Sequence, residues 1–194
     1  DTSGNNIINE SSDTITIGAS GDTTNIVGTL QNNGSALVTG KIGQVLSATK
    51  TDVFTTTSTS YTDITGITIN ITPAATSSKV LVTFSVTAST DTADRVFGFQ
   101  LVRGSTAIGA GGSSGSRSVG TVAGAVETKN TKMNSYSMNF LDSPSSTSAL
   151  TYKLQTKAQT GGSNTVRINS NGGDQDANYN FRTISTITVM EVLA

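Results

Sequence analysis

Apolar and polar residues alternate along most of this chain, and the period of the alternation is two, that of a pleated strand. Lys79–Ala88 shows it most clearly. Val80, Val82, Phe84 and Val86 fall on one face, and Leu81, Thr83, Ser85 and Thr87 on the other. Arg95–Arg103 repeats the pattern with Phe97, Phe99 and Leu101, and Tyr61–Thr72 with Ile67, Ile69 and Ile71 before Pro73 stops it. The same reading predicts strands over Val119–Thr128, Met133–Leu141, Leu150–Ala158, Thr165–Ile168 and Ile184–Leu193. Gln44–Lys50 and Thr51–Thr57 read as a strand pair or one bent strand. The last strand runs almost to the end of the sequence and is expected to lie centrally. Residues 109–120 are almost all Gly, Ser and Ala around Arg117, which predicts a long loop or an irregular edge. Turn clusters at Ser143–Ser146, Gly161–Asn164 and Asn171–Asp174 punctuate the rest.

No stretch keeps a helical period beyond one or two turns. The fold class is therefore all-β: a jelly-roll-like β-sandwich head over residues 41–194. An immunoglobulin-type sandwich is the alternative, without its Cys–Trp–Cys core.

Residues 1–40 have a different texture. Short β-branched runs, Thr14-Ile-Thr-Ile-Gly18 and Ile26-Val-Gly-Thr-Leu30, alternate with Gly21-Asp-Thr-Thr-Asn25 and Asn32-Asn-Gly-Ser35. Strands of three to five residues do not hold as isolated hairpins. Ile15, Ile17, Ile26, Val27 and Leu30 need burial, so this segment reads as a narrow β shaft intertwined with other chains; a polar tail is the alternative. Three chains around one axis, a homotrimer, are expected.

Composition narrows the chemistry. The chain has no His and no Cys, is 13% charged, and carries a net charge of −1. Most nucleophilic and metal-ligating machinery is thereby removed. No basic stripe suggests nucleic acid, and no apolar run approaches a membrane-spanning helix. No cofactor, no metal, no membrane insertion and no enzymatic activity are expected.

Several stretches resemble the C-terminal region of tail-fibre and virion structural proteins of marine, cyanophage-like bacteriophages. They are Gly43-Gln-Val-Leu46, Thr51-Asp-Val-Phe-Thr55, Thr62-Asp-Ile-Thr-Gly66, Phe99-Gln-Leu-Val-Arg103 with Gly104-Ser-Thr-Ala-Ile108, Gly115-Ser-Arg117, Met138-Asn-Phe-Leu-Asp-Ser-Pro144, Thr151-Tyr-Lys153 and Ser185-Thr-Ile-Thr-Val-Met-Glu-Val192. The resemblance covers roughly residues 41–194, and the run at 16–23 looks like the shaft repeats of such fibres. It implies a homotrimeric fibre tip, in the virion and extracellular in use, joined to upstream fibre or virion proteins. Its partner would be a host cell-surface glycan or surface protein. A structural virion block without a ligand and a secreted bacterial adhesin are the alternatives.

Candidate receptor-binding residues sit in two loops: Arg117 in one, and Asn171, Asp174, Gln175, Asp176, Asn178 and Tyr179 in the other. Arginine offers bidentate contacts to acidic groups, and a ring beside amides suits a sugar. Carboxylates at Asp174/Asp176, Asp91/Asp94, Asp13, Asp63, Asp142, Glu127 and Glu191 are the candidates for glycan hydrolysis, and Asp174-Gln-Asp176 has the local spacing of a hard-cation loop. Turn geometry and solvated surface are the better readings of these acids.

Overall fold

Where the sequence alternates, the chain pairs. The structure is a computed structural model that describes residues 28, 31–32, 35–36, 42–126, 132–159 and 164–193. The chain divides into two units, Asp1–Thr39 and Gly40–Ala194. In the first, β1 (Gln31–Asn32) and β2 (Ser35–Ala36) form an antiparallel pair. The shaft expected over 1–40 otherwise lies outside the described residues, and Asp13 with it.

Every regular element of the second unit among its described residues is a strand: β3 (Ile42–Lys50), β4 (Phe54–Thr56), β5 (Thr62–Ile71), β6 (Lys79–Thr90), β7 (Arg95–Arg103), β8 (Thr106–Ile108), β9 (Val122–Val126), β10 (Asn134–Asp142), β11 (Leu150–Ala158), β12 (Val166–Ile168) and β13 (Ser185–Val192). The register shows that three pairs of these are single strands interrupted. On β6, β10 covers 80–88, so both β13 (opposite 79–85) and β12 (opposite 88–90) must lie along the other edge, end to end. On β7, β11 covers 97–103, so β8 (opposite 101–103) and β9 (opposite 95–99) share the remaining edge. β3 and β4 likewise line up along β13 and β12, Lys50 opposite Ser185 and Phe54 opposite Ile168.

Counting each interrupted strand once leaves eight positions. They form two sheets, β3/β4–β12/β13–β6–β10 and β5–β11–β7–β8/β9. In chain order these are 1-8-3-6 and 2-7-4-5, the connectivity of a jelly roll. The C-terminal strand β13 lies between β3 and β6, inside its sheet. The strand expected over Val119–Thr128 is shorter, because residues 119–121 belong to the interruption and 127–128 lie outside the described residues.

The sheets close on Val80, Val82, Phe84, Val86, Ile187 and Val189 from one side and Phe97, Phe99, Leu101, Tyr152 and Leu154 from the other, all buried. In β5 the simple alternation fails. The register against β11 shifts between Lys153 and Gln155, with Gly66 at φ 85°, and both Ile64 and Ile67 turn inward. At Gly124 of β9 the ring of Tyr136 lies against the backbone, where a Cβ would meet its Cε1 at 2.3 Å. That approach seats Tyr136 edge-on to Phe97, centroids 5.3 Å apart.

Glu191, 2% exposed on β13, closes one end. Its carboxylate accepts from Gln44 Nε2 at 2.8 Å and from the Ala74 N–H at 2.6 Å, tying the β5–β6 turn to β3. The Gln44 amide and then the Ala74 N–H, working against burial, hold its pKa below the usual glutamate range. The folded state therefore binds this proton more weakly than the unfolded chain. The stability it contributes is complete above the unfolded pKa and is lost as pH falls through the lowered folded value. Urea midpoints should be flat near neutrality and fall in acid, and Glu191→Gln should flatten part of that fall. An identical acid limb in the variant would show that Glu191 contributes nothing to it.

Candidate functional site

Two of the three interruptions throw long loops out of a strand, and both loops contain residues singled out in the sequence. The β12–β13 excursion, 169–184, is pinned at its root by Asn169. That residue is buried at φ 63°, and its amide donates to the carbonyls of Lys50 at 3.0 Å and Asp52 at 3.1 Å. Its side-chain oxygen accepts from Ser185 Oγ at 2.6 Å, and its N–H continues the ladder to Thr87 O at 3.0 Å. Asparagine tolerates the left-handed region that such an exit requires. The loop folds back on its own sheet, where Ser89 Oγ donates to Ser170 O at 2.7 Å.

Inside this loop the expected binding residues are largely occupied with one another. Asn171 Oδ1 accepts from the Asp174 N–H three residues on at 2.8 Å, and Asp174 stands at φ 43°. Asn171 also donates to Asn180 Oδ1, and Asn180 donates in turn to Gln175 O at 2.6 Å. The Asp174 carboxylate is ion-paired with Arg182 and lies 3.9 Å from Arg167. Two arginines thus take up the charge a cation would need, and Asp174 and Asp176 are not set as a free pair. Asp176 and Asn178 are exposed, as is Tyr179, whose hydroxyl donates to Gln175 Oε1 at 3.3 Å. Phe181 beside them is 68% exposed. A cavity of about 280 Å³ lies among Asn171, Asp174, Asp176, Phe181 and Arg182.

Arg117 is elsewhere. It belongs to the β8–β9 excursion, 109–121, whose root is pinned by Thr121: its N–H reaches Phe99 O at 2.7 Å, and its hydroxyl accepts from the Leu101 N–H at 2.9 Å. Of the seven residues named from sequence, Arg117 lines one cavity and Asn171, Asp174, Gln175 and Asp176 line another with no shared lining residue, while Asn178 and Tyr179 line neither.

The other carboxylates weighed from sequence also hold structure. Asp63 is engaged by Lys153 and Gln155, Asp142 by Arg103 and Tyr152, and Asp91 accepts from the Thr165 N–H at 2.7 Å. Asp94 stands at φ 58° in the β6–β7 turn, and Glu127 lies outside the described residues. Among the described residues no group of three or more acids gathers as a metal site, and no helix is long and apolar enough to cross a membrane.

Sequence reasoning missed a surface. On the outer face of the first sheet, Leu141 stands opposite Leu81, Leu81 opposite Met190, and Met190 opposite Val45. This is one transverse apolar row across four strands, and Val45 at its end is 55% exposed and Leu141 47%. Val192, opposite Ile42, extends it on one side. On the other side lie hydroxyl and amide rows: Asn139–Thr83–Thr188–Ser47 and Ser137–Ser85–Thr186–Thr49. Ser47 and Thr188 share a hydrogen bond of 2.9 Å across strands. Of the outward-facing residues of β3, β6, β10 and β13, only Lys79 is charged. The outer face of the second sheet is different, with Lys153 and Gln155 both bonded to Asp63 and Lys157 beside them. The signal available in the sequence was the apolar neighbours that break alternation: Val45-Leu46, Val80-Leu81-Val82, Phe140-Leu141 and Val189-Met190.

No protein-family model matches the chain, and no curated protein sequence matches it. Among solved structures it is similar to that of infectious bursal disease virus Gx strain, with TM-score 0.42 and 13% identity over 87% of this chain and 42% of that one. It is also similar to a mutant VP2 protein of infectious bursal disease virus in derived T=1 particles, with TM-score 0.39 and 16% identity over 90% of this chain and 42% of that one. The chain spans about two fifths of the length of these virion particle proteins.

Proposed function

We propose that this chain is a structural building block of a virion, acting by noncovalent association with further copies of itself and not by catalysis. The observation that carries the reading is the apolar row Leu141–Leu81–Met190–Val45, flanked by uncharged hydroxyl rows and reaching the outer strands β3 and β10 of its sheet. The part of the face formed by β3, β6, β10 and β13 carries one charge, Lys79, and offers little to a charged partner, whereas a copy presents the same pattern of hydroxyls and methyls. Four strands spaced about 4.8 Å, each about 30 Å long, give roughly 600 Å² in projection. That approaches the ~800 Å² of accessible surface that each partner gives up in a standard interface. β3 and β10 also leave backbone edges to which another chain could add. The resemblance of residues 41–194 to fibre proteins is what sets such a block in a virion, and a trimer is the assembly it implies.

The test is the mass of the full chain in solution by light scattering across a range of concentrations. The chain should associate, and Val45→Asp with Leu141→Asp should shift it toward the monomer. Burying each side chain is worth about 1.5–3 kcal/mol, so the pair should weaken association at least a hundredfold. Circular dichroism should be unchanged, because both residues face outward. A wild-type chain that stays monomeric at every concentration would overturn the reading.

A further inference from the structure

The β8–β9 excursion does more than interrupt a strand. It arches over the outer face of the second sheet and is held there by two contacts. Tyr61 Oη donates to Val119 O at 2.7 Å, and Lys157 Nζ donates to Ser118 Oγ at 2.9 Å. Between the arch and the sheet is a cavity of about 400 Å³, within the range of small-ligand sites. Its floor is Val96, Gly98 and Ala123, without a charged side chain. Gly98 lets the Tyr61 hydroxyl come close to the sheet, since a Cβ there would meet its Oη at 3.0 Å. Ser118 and Gln159 supply a hydroxyl and an amide.

The charge is one-sided. Arg117 and Lys157 both line the cavity, and none of its described lining residues is acidic. Lys157 stands 5.2 Å from the centre of the Tyr61 ring, which fixes its position without neutralising it. Arg117 Nη1 donates only to its own loop, to Ser114 O at 3.4 Å and Ser114 Oγ at 3.2 Å. In a chain of net charge −1, two cations over an uncharged floor are a local inversion of sign.

We propose that this cavity binds an acidic saccharide: a sugar ring whose C–H face lies on the Val96–Gly98–Ala123 floor and whose carboxylate or sulfate meets Arg117 and Lys157. A neutral sugar would leave both cations without an anionic partner. A bare anion would leave the apolar floor unused. The site lies on the opposite sheet from the self-association face, so the two functions separate by mutation.

The experiment is titration of the full chain with a glucuronate-containing disaccharide and with its sulfated counterpart, followed by isothermal calorimetry and ligand-observed NMR. Maltose and inorganic sulfate are the controls. At least one acidic sugar should bind, more weakly as salt is raised. Arg117→Ala with Lys157→Gln should lower the affinity at least tenfold. Ala123→Trp should block the floor and abolish binding, with circular dichroism unchanged because all three positions are at the surface. The Val45→Asp, Leu141→Asp chain should bind the sugar as wild type does. Equal binding of maltose, displacement by sulfate at the same concentration, or full affinity in the doubly substituted cavity would each overturn the proposal.

Discussion

Asn169→Ala is expected to lower the stability of the Gly40–Ala194 unit by about 3 kcal/mol, although the side chain removed is small and polar. The residue is fully buried, and three hydrogen bonds leave with its amide. The buried Lys50 carbonyl and the Ser185 hydroxyl lose their partner, at about 1–3 kcal/mol for a buried polar group left unsatisfied. The left-handed backbone at φ 63° adds about 1 kcal/mol, because alanine tolerates that region less well than asparagine. For a unit of this size the total corresponds to a melting temperature lower by roughly 6–12 °C. Asn169→Gly separates the two parts, because glycine accepts the backbone angle and should recover about 1 kcal/mol. Chemical denaturation of the three proteins decides it. An alanine variant within about 0.5 kcal/mol of wild type would mean that the ladder holds without the pin.

The second large effect is expected at Asp142. Its Oδ2 accepts from Arg103 Nη1 and from Tyr152 Oη, both at 2.6 Å. Asp142 ends β10 in one sheet, whereas Arg103 and Tyr152 stand on β7 and β11 in the other, so the carboxylate links the two layers. Burial first, and then the hydrogen bond to Asp142, push the Tyr152 phenol well above its ordinary pKa, so it remains a donor at any physiological pH. Asp142→Ala leaves a buried hydroxyl and a guanidinium without an acceptor. Breaking a buried pair costs about 3–5 kcal/mol, and because Arg103 is a quarter exposed the lower end is expected, about 3 kcal/mol. Asp142→Asn keeps one acceptor and should cost less. A double-mutant cycle gives the mechanism: Tyr152→Phe should be nearly free in the Asp142→Ala background, since the group that suffered is already gone. If the two losses simply add, the phenol does not depend on this carboxylate.

Both residues expose the limit of reading one strand at a time. Alternation placed Val80, Val82, Phe84 and Val86 on one face of β6, and all four are buried. The same rule says nothing of Asn169, which falls between the strand expected to end at Ile168 and the turn cluster that starts at Asn171. Its partners, the Lys50 and Asp52 carbonyls, come from more than a hundred positions earlier in the chain. The loop residues proposed for binding were legible as loops, but their company was not. Asn171, Asp174 and Asn180 bond to each other, and Arg182 and Arg167 flank Asp174, whereas Arg117 faces a different cavity with Lys157. β5 misled for a local reason: the register shift near Gly66 lets Ile64 and Ile67 share a face that period two forbids.

What the residues alone determined is the class of structure. β-branched and aromatic side chains at every second position, with no helical period and Gly, Asn and Pro at the breaks, leave pleated sheets as the way to bury one face. What tertiary structure decided is which strands are really one strand and which side chains stand in line. Leu141, Leu81, Met190 and Val45 are scattered over nearly 150 positions, and only the antiparallel registers of β10, β6, β13 and β3 draw them into a single row. The reason is physical: hydrophobic periodicity fixes the face a residue occupies, because that depends on its immediate neighbours. Its position along the partner strand depends on turns, bulges and ladder hydrogen bonds made by residues far away in the chain.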